Sequence, residues 1–205
     1  YIPFTPGSSY ATYGSTYFNG STDYIDAGSN SAFAFGTGNY TVEGWVYITA
    51  SALNNFVVNN TTNGFDLYFQ SSNSTTRLEF RGGSNVIAFS YIPPLNTWVH
   101  IALVRSGTGT NQTTLYANGV SQGTGTDATN WTITGPMQIG GFSGGTGAYF
   151  NGYISNVRIT KGQALYTSAF TPSTSPLTTT SQGATASNVS LLTCQSNTPV
   201  NNSTF

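Results

Sequence analysis

The chain has 205 residues, of which five are Lys or Arg and six are Asp or Glu, so charged residues make up only 5% and the formal net charge is −1; an ordinary soluble domain carries roughly 25%. With 38% hydrophobic and 14% aromatic residues, it is not composed like a disordered chain. Five cations cannot make the broad basic face a nucleic acid requires, no window approaches the roughly 18 apolar residues of a membrane span, and the charged flanks of coiled-coil heptads are missing.

Residues 1–14, with Pro3 and Pro6, read as an incoming linker. Tyr rather than Met at position 1 is what a processed polypeptide, or a piece of a longer one, would show. Helical periodicity is nearly absent from there on. Aromatic and β-branched residues alternate with polar ones and are punctuated by Gly and Asn. The alternation predicts strands over residues 15–18, 24–27, 40–49, 56–59, 65–70, 77–81, 86–91, 98–105, 113–117, 137–140, 149–160 and 190–195. Many short strands without long helices predict one all-β domain over residues 15–195, folded as a two-sheet antiparallel sandwich.

The turns carry their own signals. Asn19-Gly20, Asn63-Gly64, Asn118-Gly119 and Asn151-Gly152 combine two residues that tolerate positive φ, as two-residue hairpins require. The strongest case is Asn118-Gly119, directly after the strand at 113–117. Pro93-Pro94 ends one strand and leads into Trp98. Residues 163–167 could form one helical turn. Residues 171–185, rich in Pro, Ser and Thr, read as an extended crossing loop, after which the strand at 190–195 is expected to pair with the first strand and close the domain. Residues 196–205 read as a polar tail or a link to a further module. The tetrapeptide Tyr-Phe-Asn-Gly occurs at 17–20 and at 149–152, which reads as one strand-to-turn solution used twice.

Solubility must come from hydroxyl and amide groups. Lys161 is the only lysine, so the usual protection of sheet edges by Lys is missing. Loops, prolines or neighbouring subunits must cover those edges. Either dense assembly, including homo-oligomerisation, or a compositional habit of the source would account for so little charge.

Several segments in order resemble the laminin-G-like group of the concanavalin A-like lectin/glucanase superfamily. They are residues 17–25, 40–47 (with Glu43-Gly44-Trp45), 98–105 (Trp98-Val99-His100), 115–119, 139–141 and 151–159. A narrower resemblance, to copies of this module in virion proteins of bacteriophages and especially marine ones, is carried by residues 32–38, 160–167, 170–172 and 191–195. The resemblance implies a jelly-roll sandwich of two antiparallel sheets that binds glycans or proteins, in some members with Ca²⁺. It further implies placement on the outside of a virion, on a tail fibre or head appendage contacting host-surface glycans, or as a capsid decoration protein contacting other virion proteins.

The residues argue against catalysis. Glycoside hydrolysis needs two carboxylates flanking one bond, and neither the strand bearing Glu43 nor that bearing Glu79 carries a second acid. Asp23 with Asp26, Glu43 with Glu79, and Asp66 with Asp127 lack catalytic spacing, so no enzyme is expected. His100 is the sole histidine and alternates with Trp98 and Ala102, which reads as a hydrogen-bonded sandwich residue. Cys194, the sole cysteine, reads as a core residue. The glycines at 140–141 and 144–147 lack the lysine and helix of a phosphate loop. Ten Asn-X-Ser/Thr matches barely exceed chance for this composition. Calcium is the cofactor to test, with Asp66 and Asp127 as candidate ligands, their alternative being turn positions or pairs with Arg77 or Arg81. For glycan stacking the loop candidates are Trp131, with its neighbour Asn130, and Tyr149, set against ordinary loop packing.

Overall fold

A computed structural model describes residues 14–80, 85–133, 135–142 and 148–195. The expected linker up to residue 13, the tail from residue 196, Arg81 and the glycine loop at 143–147 lie outside the described residues. The strands are β1 (Thr16–Asn19), β2 (Ile25–Asp26), β3 (Tyr40–Ile48), β4 (Leu53–Asn59), β5 (Phe65–Gln70), β6 (Thr75–Phe80), β7 (Asn85–Phe89), β8 (Val99–Arg105), β9 (Thr113–Ala117), β10 (Val120–Gly125), β11 (Met137–Ile139), β12 (Asn151–Lys161) and β13 (Val189–Thr193). They form two antiparallel sheets that stack as a jelly-roll sandwich. One has the order β1-β12-β3-β8-β9-β10, with β13 also on β12, and the other the order β2-β11-β4-β5-β6-β7.

Alternation decides what lies between the sheets. Tyr40, Val42, Val46 and Ile48 of β3, Val99, Ile101 and Leu103 of β8, and Phe65, Leu67 and Phe69 of β5 belong to one buried core. The intervening residues point outward: Thr41, Glu43, Trp45 and Tyr47 on β3, Ala102 and Val104 on β8, and Asp66 and Tyr68 on β5. The two-residue side-chain period of a strand turns that pattern into an inside and an outside.

The sandwich has a partial third layer. After β12 the chain crosses the outer face of the seven-stranded sheet before returning as β13. Tyr166 packs there with Ala102, Val104 and Tyr116, backed by Ala164, Leu165 and Phe170. Leu177 and Ala184 pack with Val189 and Leu192. This strap explains why outward positions such as Thr41, Glu43 and Arg158 are fully buried. The expected helical turn at 163–167 does not form, because these residues serve the sheet instead. Thr41 Oγ1 donates to the Gln163 carbonyl and accepts from the Leu165 N–H. The strap's one-turn helices come later, at Ser181–Gly183 and Ala186–Asn188.

Two topological expectations need correction. β13 does not pair with β1. Both lie on the same edge of β12, β1 along residues 151–154 and β13 along residues 157–160, and the Gly14 N–H donates to the Gln195 carbonyl (2.9 Å) between them. Of the four Asn-Gly pairs, only Asn118-Gly119 makes a two-residue hairpin, with both φ angles positive (48° and 77°). Its return strand, β10, lacks the large alternating residues that mark a strand in the sequence. Asn151-Gly152 lies inside β12, where a Cβ on Gly152 would sit 2.0 Å from the Tyr47 carbonyl oxygen. The repeated tetrapeptides meet in space: Tyr17 is the register partner of Tyr153, and Phe18 packs edge-on against Phe150 at 6.0 Å.

Candidate functional site

Among the described residues, the strap covers only part of the seven-stranded sheet's outer face, and the part beside it is aromatic. Tyr17 on β1 faces Tyr153 on β12, which faces Tyr47 on β3. Trp98 directly precedes Val99, the partner of Val46, and so stands beside Tyr47. The ring centroids are 5.2 Å apart for Tyr17–Tyr153, 6.0 Å for Tyr153–Tyr47 and 5.5 Å for Tyr47–Trp98, with interplanar angles of 52°, 76° and 55°. This is one ring per strand across four neighbouring strands. Tyr17, at the open end, is 55% exposed, and the other three are half-buried. The row exists because aromatics occupy the outward phase of each strand. Gly152 lets β12 and β3 approach closely beneath it.

One step along the strands toward the strap, Trp45 faces its register partner His100 at 5.3 Å, and Phe170 meets the other side of His100 at 5.7 Å. Phe170 also lies flat on Tyr166, at 3.6 Å and 6°, and edge-on to Tyr116. The aromatic surface therefore runs from the open row under the edge of the strap.

A buried polar cluster ties the strap down. The Glu43 carboxylate accepts from Arg158 Nε (2.8 Å) and Nη2 (2.6 Å) on one oxygen. On the other it accepts from the Tyr166 hydroxyl (2.8 Å), with His100 Nε2 at 3.2 Å. Arg158 Nη1 donates on to the Thr178 and Ser181 carbonyls in the strap. Burial alone would raise the Glu43 pKa. The hydrogen bond from His100 and the charge of Arg158 outweigh it, so the carboxyl is held below the usual carboxylate range. Every good acceptor position on Glu43 is occupied, and the group is sealed from solvent. Glu79 lies on the other sheet, opposite Asp66 across the β5–β6 pair. Glu43 and Glu79 thus sit on the two opposite outer faces of the sandwich and cannot flank one glycosidic bond.

The loop-based site expectations fare differently from the strands. Trp131 is not an exposed loop aromatic. It is 1% exposed, its ring meets Phe65 edge-on at 5.3 Å, and its indole N–H donates to Asp127 (3.0 Å). A short bridge to Gly36 pulls it inward. Asn130 remains exposed and lines a pocket of ≈ 310 Å³ with Thr61, Thr62, Asn63 and Thr132. Tyr149 is half-buried, donates to the Phe142 carbonyl (3.1 Å) and stacks on the Phe142 ring. The two regions lie at opposite ends of β11, so Asn130, Trp131 and Tyr149 do not form one site.

Asp127 does not suit calcium. It is fully buried, pairs with Arg105 (3.0 Å), and accepts from the Tyr40 hydroxyl, Trp131 Nε1 and the Thr129 N–H. Arg105 spends its remaining donors on the Gly36, Gly38 and Thr129 carbonyls, locking three loop carbonyls to one end of the core. Asp66 lies within β5, not on a rim loop. It is buried beside its register partner Glu79 on the outer face of the six-stranded sheet. No group of three or more His, Cys, Asp or Glu side chains suited to a metal occurs among the described residues. No helix among them is long and apolar enough to cross a membrane.

The family profile described as the concanavalin A-like lectin/glucanases superfamily, in its laminin G form, matches residues 19–168. The chain belongs to this family. No curated protein is significantly similar to it in sequence. Among solved structures, it resembles a carbohydrate-binding candidate from Bacteroides ovatus (TM-score 0.54, 15% identity, 88% of this chain and 51% of that one). The chain thus spans about half the length of that protein. It also resembles domain 4 of an extracellular arabinanase from Geobacillus stearothermophilus, solved with arabinotriose (TM-score 0.55, 16% identity, 71% and 69%). A third is the carbohydrate-binding module of a Ruminococcus gnavus sialidase, solved with α2,3-sialyllactose (TM-score 0.51, 16% identity, 70% and 92%). At such identities the likeness concerns the fold.

Proposed function

We propose that this chain is a non-catalytic glycan-binding module whose ligand stacks on the row Tyr17–Tyr153–Tyr47–Trp98. The observation that carries the reading is the row itself: four aromatics in the outward phase of four adjacent strands, beside a strap that packs on the neighbouring part of the face. Sugar rings present apolar faces that pack on aromatic side chains, while their hydroxyls bond to polar tips such as tyrosine OH. Glycans bound to two relatives of this fold agree with the reading. The resemblance at residues 32–38, 160–167, 170–172 and 191–195 supports placing the module on the exterior of a bacteriophage virion, on a tail fibre or head appendage, with host-surface glycans as its partners.

The experiment is a glycan array on the full chain and on a Tyr17→Ala/Tyr153→Ala variant. Binding by the parent and its loss in the variant, with thermal unfolding little changed, is the expected result. A parent that binds nothing, or a variant that binds equally well, overturns the proposal.

A second reading, capsid decoration through protein–protein contacts in an oligomeric shell, is favoured by the single lysine and the scarcity of surface charge. It is tested by imaging intact particles. Density for the module at a fibre tip, away from the shell, would rule it out.

A further inference from the structure

The charge inventory narrows what the aromatic row can hold. Of the five cations, Arg105 and Arg158 are fully buried in ion pairs. Arg77 is on β6 of the other sheet, and Lys161, at the end of β12, donates to the Ser31 carbonyl. Arg81 lies outside the described residues. The segments 1–13, 134, 143–147 and 196–205 contain no Lys or Arg. No cationic side chain therefore stands on the open half of the seven-stranded face among the described residues. Glu43, four residues before Tyr47, is sealed beneath the strap, and the next acid along the chain is Asp23, whose carboxylate accepts from the Asn19 N–H at the end of β1. It would repel a second anion. What the face offers is tyrosine hydroxyls and ring surface, the Trp98 indole N–H being buried. A carboxylate or sulfate moved from water onto this surface would lose hydration without gaining a counter-charge.

The spacing adds a second constraint. The rings step across the sheet once per strand, each step comparable to one sugar ring in a chain, and the row is four rings long. Neighbouring rings are tilted by 52–76°, so they form no flat platform for a crystalline polysaccharide surface. They suit a single chain whose successive sugars turn relative to one another.

Resting on the glycan-binding reading above, we infer that the ligand is a neutral, linear oligosaccharide lying across the strands and spanning at least three sugar units, and that acidic glycans are rejected. The test is titration calorimetry on the full chain with three sets of probes. These are hexasaccharides of arabinan, xylan and β-glucan; α2,3-sialyllactose, hexagalacturonate and a heparin hexasaccharide; and the monosaccharides arabinose, xylose and glucose. The same titrations are run on Tyr17→Ala and on Tyr17→Ala/Tyr153→Ala, with circular dichroism to verify folding.

Expected is binding of at least one neutral hexasaccharide, weakened about tenfold for each ring removed. Affinity should fall steeply toward the monosaccharide, and the acidic probes should not bind. Tyrosine-dependent binding of an acidic probe, or full affinity for a monosaccharide, overturns the inference and leaves the aromatic row as the site. Neutral binding that is indifferent to both variants overturns the row itself. Silence from every probe overturns both.

Discussion

Glu43, whose strand carries no second acid, is a structural anchor in the fold. It is the acid of a Glu-Gly-Trp segment in a superfamily that includes glucanases, yet it anchors Arg158, His100 and Tyr166 beneath the strap. Its folded pKa is depressed, so its contribution to stability is complete above its unfolded value of about 4.3 and is lost as pH falls through the lower folded value. Thermal unfolding scans should show a melting temperature that declines below about pH 4. Glu43→Gln should be destabilised at pH 7 by about 3–5 kcal/mol, because Arg158 is left without its counter-charge, and should show a shallower acid decline. Cys194 makes a complementary case. Burial pushes its thiol pKa up to about 12, so iodoacetamide at pH 8 should leave it unmodified in the native protein and alkylate it in denaturant. Cys194 and His100 were readable from their apolar alternation. Trp131 was not: its neighbours Thr129, Asn130 and Thr132 are polar, and only Asp127, itself fixed by the distant Arg105, and the Gly36 bridge turn it inward.

At the scale of elements, the strands were legible and their partners only partly so. Period-two alternation marks β3, β5, β8 and β9 wherever one face is buried. It fails for β10, where Val120–Gly125 has a single apolar side chain, Val120, and that one faces solvent. It also cannot say which strands are neighbours, and for that reason the aromatic row went unseen. Tyr17, Tyr47, Trp98 and Tyr153 lie far apart in sequence and become one surface only through the register of four strands. The strap is likewise a tertiary feature. Its residues 163–170 have a weakly helical composition but are recruited by backbone bonds to β3 and by ring contacts to β8 and β9. Phe170 joins it to the β9–β10 hairpin: its N–H donates to the Gly119 carbonyl, and any Cβ on Gly119 would collide with the Phe170 carbonyl oxygen. Phe170→Ala should therefore lower stability by about 2 kcal/mol, measured by urea unfolding. It should also increase amide exchange in the strap before it does so in β5 or β6.

For the whole molecule, scarcity of charge takes on a spatial meaning. Four of the eleven charged side chains, Arg105, Asp127, Glu43 and Arg158, form two buried pairs. The surface is left still poorer in charge than the composition implies. The two pairs do the work that a metal would do in stapling loops to a sandwich, so EDTA should leave the melting temperature unchanged; a drop of several degrees would point to a cation held elsewhere.

The hydrogen bond between Gly14 and Gln195 has a consequence for engineering. The two strands flanking it, β1 and β13, run end to end along one edge of β12, so the described fold starts and stops at nearly the same point in space. Joining residue 195 to residue 14 through a short Gly-Ser bridge and opening the chain at the exposed Asn111 turn should give a circular permutant with the parent's circular dichroism spectrum. For the same reason the sandwich could be spliced into a surface loop of a carrier protein, standing out from it like a knob, without prising the carrier's own strands apart.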